Sequence, residues 1–313
     1  MKLSIIIPAY NEDGNLELVY NSIMKIFKDI SFEIIFVNDG STDKTKEVIE
    51  KIYKQDAEHI KAINFSRNFG KDAAIYAGLE HASGEYTCII DADMEQDPKY
   101  LLEMLVFLEK NKNYVQVAMA IRERKSGNPL KRLGGKLFYK FINRLSDIKF
   151  QENVSDFRMF RNNMKDAILS LKETNRFSKG IFNWVGFNTK VLEYEVGKRA
   201  SGKSKFNFKT SLKYAKEGII GYSVKPLRIT TYIGLLTSLA GFIYLIYIII
   251  KTLIIGVDTP GFATIVCLIL FIGGIQLLCI GILGEYLSKT FMETKKRPIY
   301  VFESKLGFDE EIL

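Results

Sequence analysis

The chain has few cysteines, and their spacing fits no known cysteine-based site. Cys88, Cys267 and Cys279 show no paired spacing, and the last two lie inside apolar runs. Cysteine in such a run behaves as a small hydrophobic residue. We therefore expect neither a disulfide framework nor a zinc site.

The start of the chain also lacks an apolar run of the length that a signal peptide needs. The first such run, Leu3 to Ile7, is too short for a signal-peptide core, and polar residues follow it at once. We therefore expect the N-terminal region to stay in the cytosol.

The composition combines two regimes. Of 313 residues, 47% are hydrophobic and 26% are charged, and the two characters separate near residue 228. A chain of this length suits one catalytic domain with an appendage. The formal net charge of +8 favours an anionic partner, which could be nucleic acid, a membrane surface or a phosphorylated substrate.

Short apolar runs alternate with helix-like stretches over the first part of the chain. The predicted strands are 3–7, 32–37, 60–65, 86–90 and 115–121, and the predicted helices are 15–28, 43–55, 70–82 and 98–111. Continuous apolar strands that alternate with helices indicate an α/β fold with a mostly parallel sheet, covered on both faces. Ligands of such sheets bind at the carboxyl ends of the strands.

Two long uncharged runs follow residue 228. No charged residue occurs from Tyr232 to Ile250 or from Phe262 to Gly284. Because roughly 20 apolar residues span a membrane, we predict transmembrane helices at about 230–250 and 262–284. Two buried core helices are the alternative. The predicted units are a catalytic domain at 1–228, a membrane hairpin at 229–288 and a cytoplasmic tail at 289–313.

Basic residues flank this hairpin on the side that we expect to face the cytoplasm. Lys225 and Arg228 precede it, and Lys289, Lys295, Lys296 and Arg297 follow it, against only Lys251 between the helices. The positive-inside rule then places both ends of the hairpin in the cytoplasm of a plasma-membrane protein.

Two basic amphipathic stretches, 130–145 and 206–222, are predicted to lie on the membrane surface. For the first, a soluble helix packed on the core is the alternative. The segment 198–228 is strongly basic, with Glu217 as its one acidic residue. Its place directly before a membrane helix favours lipid head groups and disfavours nucleic acid.

Polar motifs follow the predicted strands. Asp91 and Asp93 end an apolar strand, and two such carboxylates can hold a divalent cation together with a diphosphate. Asp39 could accept a hydrogen bond from a nucleobase, or it could cap the next helix, although Ser41 or Asp43 could fill that role. The loop 66–71 carries two cations and a glycine, which suits a diphosphate and would equally suit solvent.

Together these motifs resemble a known family. The segments IIIPAYNE, VNDGSTDKT, SRNFGKDAA, IIDADMEQDP, VSDFRMF and RASGKSKFN, with two C-terminal membrane helices, resemble family 2 glycosyltransferases that make polyprenyl-phosphate hexoses. Within this family, the motifs resemble those of bactoprenol glucosyltransferases and, more distantly, those of dolichol-phosphate mannose synthase. The resemblance implies a GT-A fold, an inverting transfer, a nucleotide-sugar donor, a polyprenyl-phosphate acceptor, Mg²⁺ or Mn²⁺ as cofactor, and a homo-oligomer.

The resemblance also implies roles for individual residues. Nucleotide binding falls to Pro8, Tyr10, Glu12, Asp39, Asn68 and Lys71, and metal binding to Asp91 and Asp93. Catalysis is implied for Asp156, Arg158 and Arg122, and Arg124 lies with Arg122 in the basic stretch after the strand 115–121. Binding of the lipid phosphate is implied for Arg199, Lys203 and Lys205. Many relatives have Gln two places after the second Asp. This chain has Glu95 there, followed by Gln96, so Glu95 is a candidate third metal ligand.

Some points stay open in the sequence. A phosphate acceptor is largely dianionic at neutral pH, so Asp156 either takes a proton or orients the site. Glucose, N-acetylglucosamine and galactose remain candidate sugars, and the resemblance favours a uridine diphosphate carrier. The alternatives are a processive polysaccharide synthase, which usually has more membrane helices and a Q-x-x-R-W motif that is not found here, and a non-catalytic nucleotide-sensing scaffold.

Overall fold

The computed structural model describes most of the chain, namely residues 1–122, 140, 143–149, 154–195, 197, 217–256 and 261–308. Strands and helices alternate at first: β1 (Leu3–Ala9), α1 (Leu16–Ile26), β2 (Phe32–Asn38), α2 (Thr45–Gln55), β3 (Ile60–Phe65), α3 (Lys71–His81), β4 (Tyr86–Ile89), α4 (Lys99–Lys110) and β5 (Gln116–Ile121). Then follow β6 (Val154–Arg161), α5 (Asn162–Ser170), α6 (Ser178–Trp184), β7 (Thr189–Tyr194), α7 (Lys225–Ile255), α8 (Phe262–Thr294) and β8 (Phe302–Leu306).

The strands form one sheet of eight, in the order β7-β5-β6-β4-β1-β2-β3-β8. Neighbours among β1 to β4 are parallel, and β5 and β7 are parallel to each other. Strand β6 runs antiparallel to β4 and β5, and β8 runs antiparallel to β3. The expectation of a mostly parallel, Rossmann-like GT-A sheet is confirmed.

Apolar side chains cover both faces of the sheet. In β1, Leu3, Ile5 and Ile7 pack on the face that α1, α2 and α4 cover, whereas Ile6 packs on the face covered by α3 and α5. All seven residues of β2 are buried, which explains why its sequence shows a continuous apolar run and no alternation. The rigid sheet therefore fixes the positions of the loops at its two edges.

The helices α7 and α8 are both longer than the predicted spans of 230–250 and 262–284. Both are long and apolar enough to cross a membrane, and none of the apolar window of either is buried in the described part of the chain. A pair of core helices would bury these side chains, so that alternative does not fit. Of the two predicted surface stretches, 130–145 lies mostly outside the described residues, and 206–222 is described only at 217–222, which is helical.

The segment after α8 returns to the sheet, which the sequence did not lead us to expect. Strand β8 pairs with β3, and the Asn64 amide donates to the Ser304 hydroxyl at 3.0 Å. The Tyr300 ring stacks on Phe65 at 4.8 Å, and its hydroxyl donates to Glu80 at 2.8 Å. The predicted tail therefore contains a structural element of the catalytic sheet.

Candidate active site

The parallel register brings the predicted motifs to one edge of the sheet. Ala9 lies opposite Asn38, and Asn38 lies opposite Asn64, so the loops after β1, β2 and β3 leave the sheet side by side. The Asn38 amide also donates to the Asn64 side-chain oxygen at 3.0 Å. Strand β4 pairs with β1 on the other side, which brings the loop that contains Asp91 to the same edge.

Asp39 organises the loop that follows β3. Its buried carboxylate accepts hydrogen bonds from the backbone N–H of Phe69 at 2.6 Å and of Gly70 at 3.0 Å, and from the Asn68 amide at 2.9 Å. Burial raises the pKa of Asp39 above its usual value, although these backbone donors act against the rise. The sequence predicted that Asp39 and Asn68 contact a ligand. In the structure the two side chains are hydrogen-bonded to each other.

The loops after β1 and β2 are also joined. The Asn11 side-chain oxygen accepts from the Thr42 backbone N–H at 2.8 Å, and the Ser41 hydroxyl accepts from the Asn11 N–H at 3.0 Å. Gly40 has a φ of +61°, and a Cβ there would meet the backbone of Arg67 at 2.2 Å. Only glycine fits this close approach. The loop after β1 is therefore held in one position. Pro8 lies in β1, and Tyr10 and Glu12 lie in the residues that follow it.

The loop after β4 holds Asp91 through Gln96. The Gln96 amide donates to Asp91 Oδ2 at 3.0 Å, and its oxygen accepts from the Asp91 backbone N–H at 2.9 Å. Asp93 Oδ1 accepts from the Glu95 backbone N–H at 3.1 Å. The extra residue at Glu95 thus shifts the glutamine by one place, and the glutamine supports Asp91.

The donor set of this loop fits a divalent cation with two protein carboxylates. Among the described residues, no group of three or more His, Cys, Asp or Glu side chains is arranged to hold a metal ion, so Glu95 does not complete a three-carboxylate site in this conformation. Asp91 and Asp93 remain, and magnesium commonly needs only one or two carboxylates plus substrate phosphates. An ammonium group already lies against Asp91, which indicates that this position favours a cation.

That ammonium belongs to Lys71, at the start of α3. Its Nζ lies 2.6 Å from Asp91 Oδ1 and 3.2 Å from Asp156 Oδ2. Burial would lower the pKa of Lys71, but the two carboxylates raise it well above its usual value. Burial would raise the pKa of Asp156, but Lys71, Lys179 and Arg158 hold it below its usual range. Both groups are therefore charged at neutral pH.

Asp156 reaches this edge because β6 runs antiparallel to its neighbours. Ala120, near the end of β5, pairs with Val154 at the start of β6, so the first residues of β6 lie beside the carboxyl ends of the parallel strands. The second oxygen of Asp156, Oδ1, is buried and has no hydrogen-bond partner among the described residues. A buried carboxylate oxygen without a partner is uncommon and indicates a position that a ligand completes.

The two arginines predicted as catalytic lie in different surroundings. Arg158 is buried below Asp156, where its guanidinium stacks on Phe182 at 3.9 Å and donates to the Ser155 carbonyl at 3.0 Å. Burial lowers the pKa of Arg158 to about 10. Arg122 is exposed and pairs with Glu193 and Glu195 at 3.3 and 3.2 Å. Arg158 therefore supports the position of Asp156, and the described contacts of Arg122 are with β7 and the residue after it.

Arg124, Arg199, Lys203 and Lys205 lie outside the described residues, so their roles stay predictions. Two residues near the site were missed by sequence reasoning. Lys179 in α6 acts electrostatically on Asp156, and no local pattern identifies it. Asp72 accepts from the Ser178 backbone N–H at 2.9 Å and so joins α3 to α6. One indication of a role for Asp72 was available in the sequence, namely that it directly follows Lys71.

Comparison with known families gives two matches. Residues 4–169 match glycosyl transferase family 2, and residues 225–290 match the GtrB C-terminal hairpin. The first match contains Asp39, Lys71, Asp91 and Asp156. The second match begins where α7 begins and ends four residues before α8 ends.

Several known proteins are similar over almost the whole chain. A Bacillus subtilis protein, named as a glycosyltransferase without a stated substrate, is 42% identical over 96% of this chain and 91% of its own. A prophage bactoprenol glucosyl transferase homolog of Escherichia coli K12 is 39% identical over 97% of this chain and 99% of its own. Among solved structures, glucosyl-3-phosphoglycerate synthase of Mycobacterium tuberculosis, with Mn²⁺ and UDP-glucose, covers 70% of this chain and 77% of that chain, with 17% identity and a TM-score of 0.48.

Proposed function

Because the chain belongs to glycosyl transferase family 2, we propose that it moves a hexose from a nucleotide diphosphate-sugar to the phosphate of a polyprenyl lipid. The observation that supports this most is the cluster of Lys71, Asp91 and Asp156 at the carboxyl edge of the sheet, in a chain that also carries an apolar hairpin. Relatives named as bactoprenol glucosyl transferases make glucose the first sugar to test. The family resemblance favours a uridine diphosphate carrier.

The donor is proposed to bind across the loops after β1 to β4. Pro8, Tyr10, Glu12 and Asp39 would contact the nucleoside, and Asn68, whose amide donates to Asp39, would lie beside them. Lys71 would turn from the carboxylates toward the diphosphate. Its ammonium is well suited to this role, because a charge-assisted hydrogen bond to phosphate is short and strong.

Asp91 and Asp93 would hold Mg²⁺ or Mn²⁺, which neutralises the departing diphosphate when it is bound. Gln96 would keep Asp91 in position through its two hydrogen bonds. Asp93 is held from the other side of the turn by the Glu95 backbone N–H. The chain itself thus supplies two fixed carboxylates, and the donor supplies the remaining oxygen ligands.

In the transfer, an acceptor phosphate oxygen forms a bond to the anomeric carbon while the bond from that carbon to the diphosphate oxygen breaks. The nucleotide diphosphate leaves as the anion, and the configuration inverts. A phosphate monoester has its second pKa near about 6, so the attacking oxygen needs little base catalysis. Asp156, which is ionised, would orient the acceptor and take a proton from its monoanionic form. Arg199, Lys203 and Lys205 remain the predicted contacts of the acceptor phosphate.

The hairpin is proposed to cross the plasma membrane twice and to keep both of its ends in the cytoplasm. The basic residues at 225, 228, 289 and 295–297 support this orientation through the positive-inside rule. Labelling of single cysteines introduced at Asp258 and at Lys296 tests it. Labelling of the Lys296 position by an impermeant reagent from outside intact cells would contradict the orientation.

The function is tested with purified protein, polyprenyl phosphate and a panel of radiolabelled nucleotide sugars, with label in the organic-extractable lipid as the readout. We expect one donor to be used, and we expect transfer to stop in excess EDTA. Asp93→Asn should abolish transfer while the protein stays folded and membrane-bound, because it weakens one metal ligand without changing side-chain volume. Normal turnover with EDTA, or near-normal activity of this variant, would exclude the metal role.

A further inference from the structure

A cavity of about 530 Å³ lies at the foot of the two apolar helices. One part of its wall is the segment 220–224, which directly precedes α7. Another part is Tyr286 of α8, two residues after the uncharged stretch ends at Gly284. Trp184, at the end of α6, is also in the wall, and its side chain is exposed. The cavity therefore lies where the catalytic domain meets the hairpin.

The polar groups in the wall of this cavity already have partners. The Tyr286 hydroxyl donates to the Ser223 carbonyl at 2.7 Å, and the Tyr222 hydroxyl donates to Glu173 at 3.3 Å. Asp147 pairs with Lys225 at 3.2 Å. The surface left for a ligand is thus mainly the apolar faces of aromatic and aliphatic side chains, and the two acidic residues disfavour an anion. The chemistry of the wall favours an uncharged, apolar occupant.

Helix α6 connects this cavity to the candidate active site. At its first residue, the Ser178 backbone N–H donates to Asp72, which is the neighbour of Lys71. Lys179 acts electrostatically on Asp156. Trp184 follows Lys179 by five residues, a rise of about 7.5 Å along the helix. Helix α6 therefore runs from a residue that acts on Asp156 to a residue in the wall of the cavity.

We propose that this cavity receives the isoprenoid units next to the phosphate of the acceptor lipid. The inference rests on the proposed function, since it needs a polyprenyl-phosphate acceptor. The volume lies within the range of about 300 to 1,000 Å³ that is usual for small-molecule sites. Tryptophan and tyrosine side chains favour such a position, because they combine an apolar ring with a polar group at the membrane interface.

Gly221 offers a direct test, because it is in the cavity wall and a Cβ there would meet no atom of the described residues within 4 Å. Gly221→Leu should fill part of the cavity without a clash, and leucine is the better helix former at this helical position. We expect the KM for polyprenyl phosphate to rise about tenfold, while the KM for the nucleotide sugar changes less than about twofold. Gly234→Leu, in the apolar part of α7, is the matched control and should change neither constant, because a Cβ there also meets no described atom within 4 Å.

Trp184 is the only tryptophan of the chain, so its fluorescence reports on the cavity alone. Titration of the protein in nanodiscs with a short polyprenyl monophosphate should change the emission. Inorganic phosphate and nucleotide sugar alone should not change it. A brominated polyprenyl phosphate should quench Trp184 in the wild type and in Gly234→Leu, and should quench it less in Gly221→Leu.

The outcomes separate this inference from the proposed function. The inference would be overturned if Gly221→Leu has the same KM for polyprenyl phosphate as the wild type and if polyprenyl phosphate does not change the Trp184 emission. This holds even if the wild type transfers sugar. Equal quenching by brominated phospholipid, with no competition from polyprenyl phosphate, would also overturn it, because the cavity would then hold bulk membrane lipid. A Trp184 response in a protein that transfers no sugar would support the cavity and refute the proposed function.

Discussion

The two edges of the sheet each contain a carboxylate beside a lysine, and the two pairs differ in what surrounds them. At the amino edge, Glu33 Oε1 accepts from Ser4 at 2.5 Å and from the backbone and side chain of Ser83, both at 2.8 Å. Its Oε2 pairs with Lys61 at 2.8 Å. At the carboxyl edge, Asp156 has Lys71 on one oxygen, and its other oxygen has no hydrogen bond within the described part of the chain.

We expect this difference to separate a structural ion pair from a functional one. Glu33 Oε1 accepts three hydrogen bonds, and Oε2 accepts none among the described residues but has the Lys61 ammonium beside it, so each oxygen has a partner of its own. Asp156 keeps a buried acceptor open, and Lys71 is shared with Asp91. Because a buried polar group without a partner destabilises the fold, an unsatisfied one at a sheet edge that binds ligands indicates function.

The largest expected effect comes from exchanging each carboxylate for its amide. Asp156→Asn should lower turnover by about 10², the lower end of the range for a proton-handling group, because the dianionic acceptor needs little base catalysis. Loss of the ion pair with Lys71 should cost a smaller amount of stability. Glu33→Gln should instead act on stability. It should lower the free energy of unfolding by about 1–3 kcal/mol and leave the turnover of each folded molecule unchanged. Steady-state kinetics and thermal melting measure both. Turnover of Asp156→Asn equal to that of the wild type would remove Asp156 from the site.

A smaller effect is expected from removal of each lysine. Lys71→Met leaves Asp91 and Asp156 without their cation, so the affinity for Mn²⁺ in the absence of nucleotide should rise about tenfold, because one nearby positive charge no longer opposes the metal. Lys61→Met should leave Mn²⁺ binding unchanged and lower the melting temperature. Titration followed by electron paramagnetic resonance measures the free metal. Equal Mn²⁺ affinity in wild type and Lys71→Met would show that the ammonium does not occupy the cation position.

The smallest effect concerns acid stability. Burial would raise the pKa of Glu33, but Lys61, Ser4 and Ser83 lower it below its unfolded value. The ionised group therefore stabilises the fold above the unfolded pKa, and this contribution is lost as the pH falls through the folded pKa. From about pH 6 to about pH 4, the melting temperature of Glu33→Gln should fall less than that of the wild type. Parallel curves would mean that Glu33 does not contribute to acid unfolding.

The sequence predicted the parallel half of the sheet well because its signal is local. Continuous apolar runs such as 60–65 end at polar loops, and the predicted bounds of β1 to β5 and α1 to α4 lie within two residues of those observed. Strand β6 gave no such signal, because Asp156 and Arg158 place charges in the sheet. Strand β8 is short and polar, and its pairing with a strand far away in sequence cannot be read from local composition.

The candidate site was predictable where it follows from strand order, and less so where it depends on side-chain contacts. Parallel strands end at one edge, so the loops with Asp39 and Asp91 had to be neighbours. The shift of the supporting glutamine to Gln96 could be suspected from its spacing to Asp93. The bridge that Lys71 makes between Asp91 and Asp156 could not be predicted from the sequence. Lys71 begins a helix, Asp91 follows β4, and Asp156 lies near the start of β6, so no local pattern relates the three residues.

Strand β8 also sets an order of events during synthesis. The ribosome makes β3 long before β8, and α7 and α8 lie between them in the sequence. The exposed edge of β3 therefore stays open until the hairpin has been made, and only then can residues 302–306 close it. Open strand edges attract other strands. A gene fragment that stops before α7 would consequently express a sheet with an unprotected edge, so catalytic fragments of this enzyme should carry residues 298–308 on a linker in place of the hairpin.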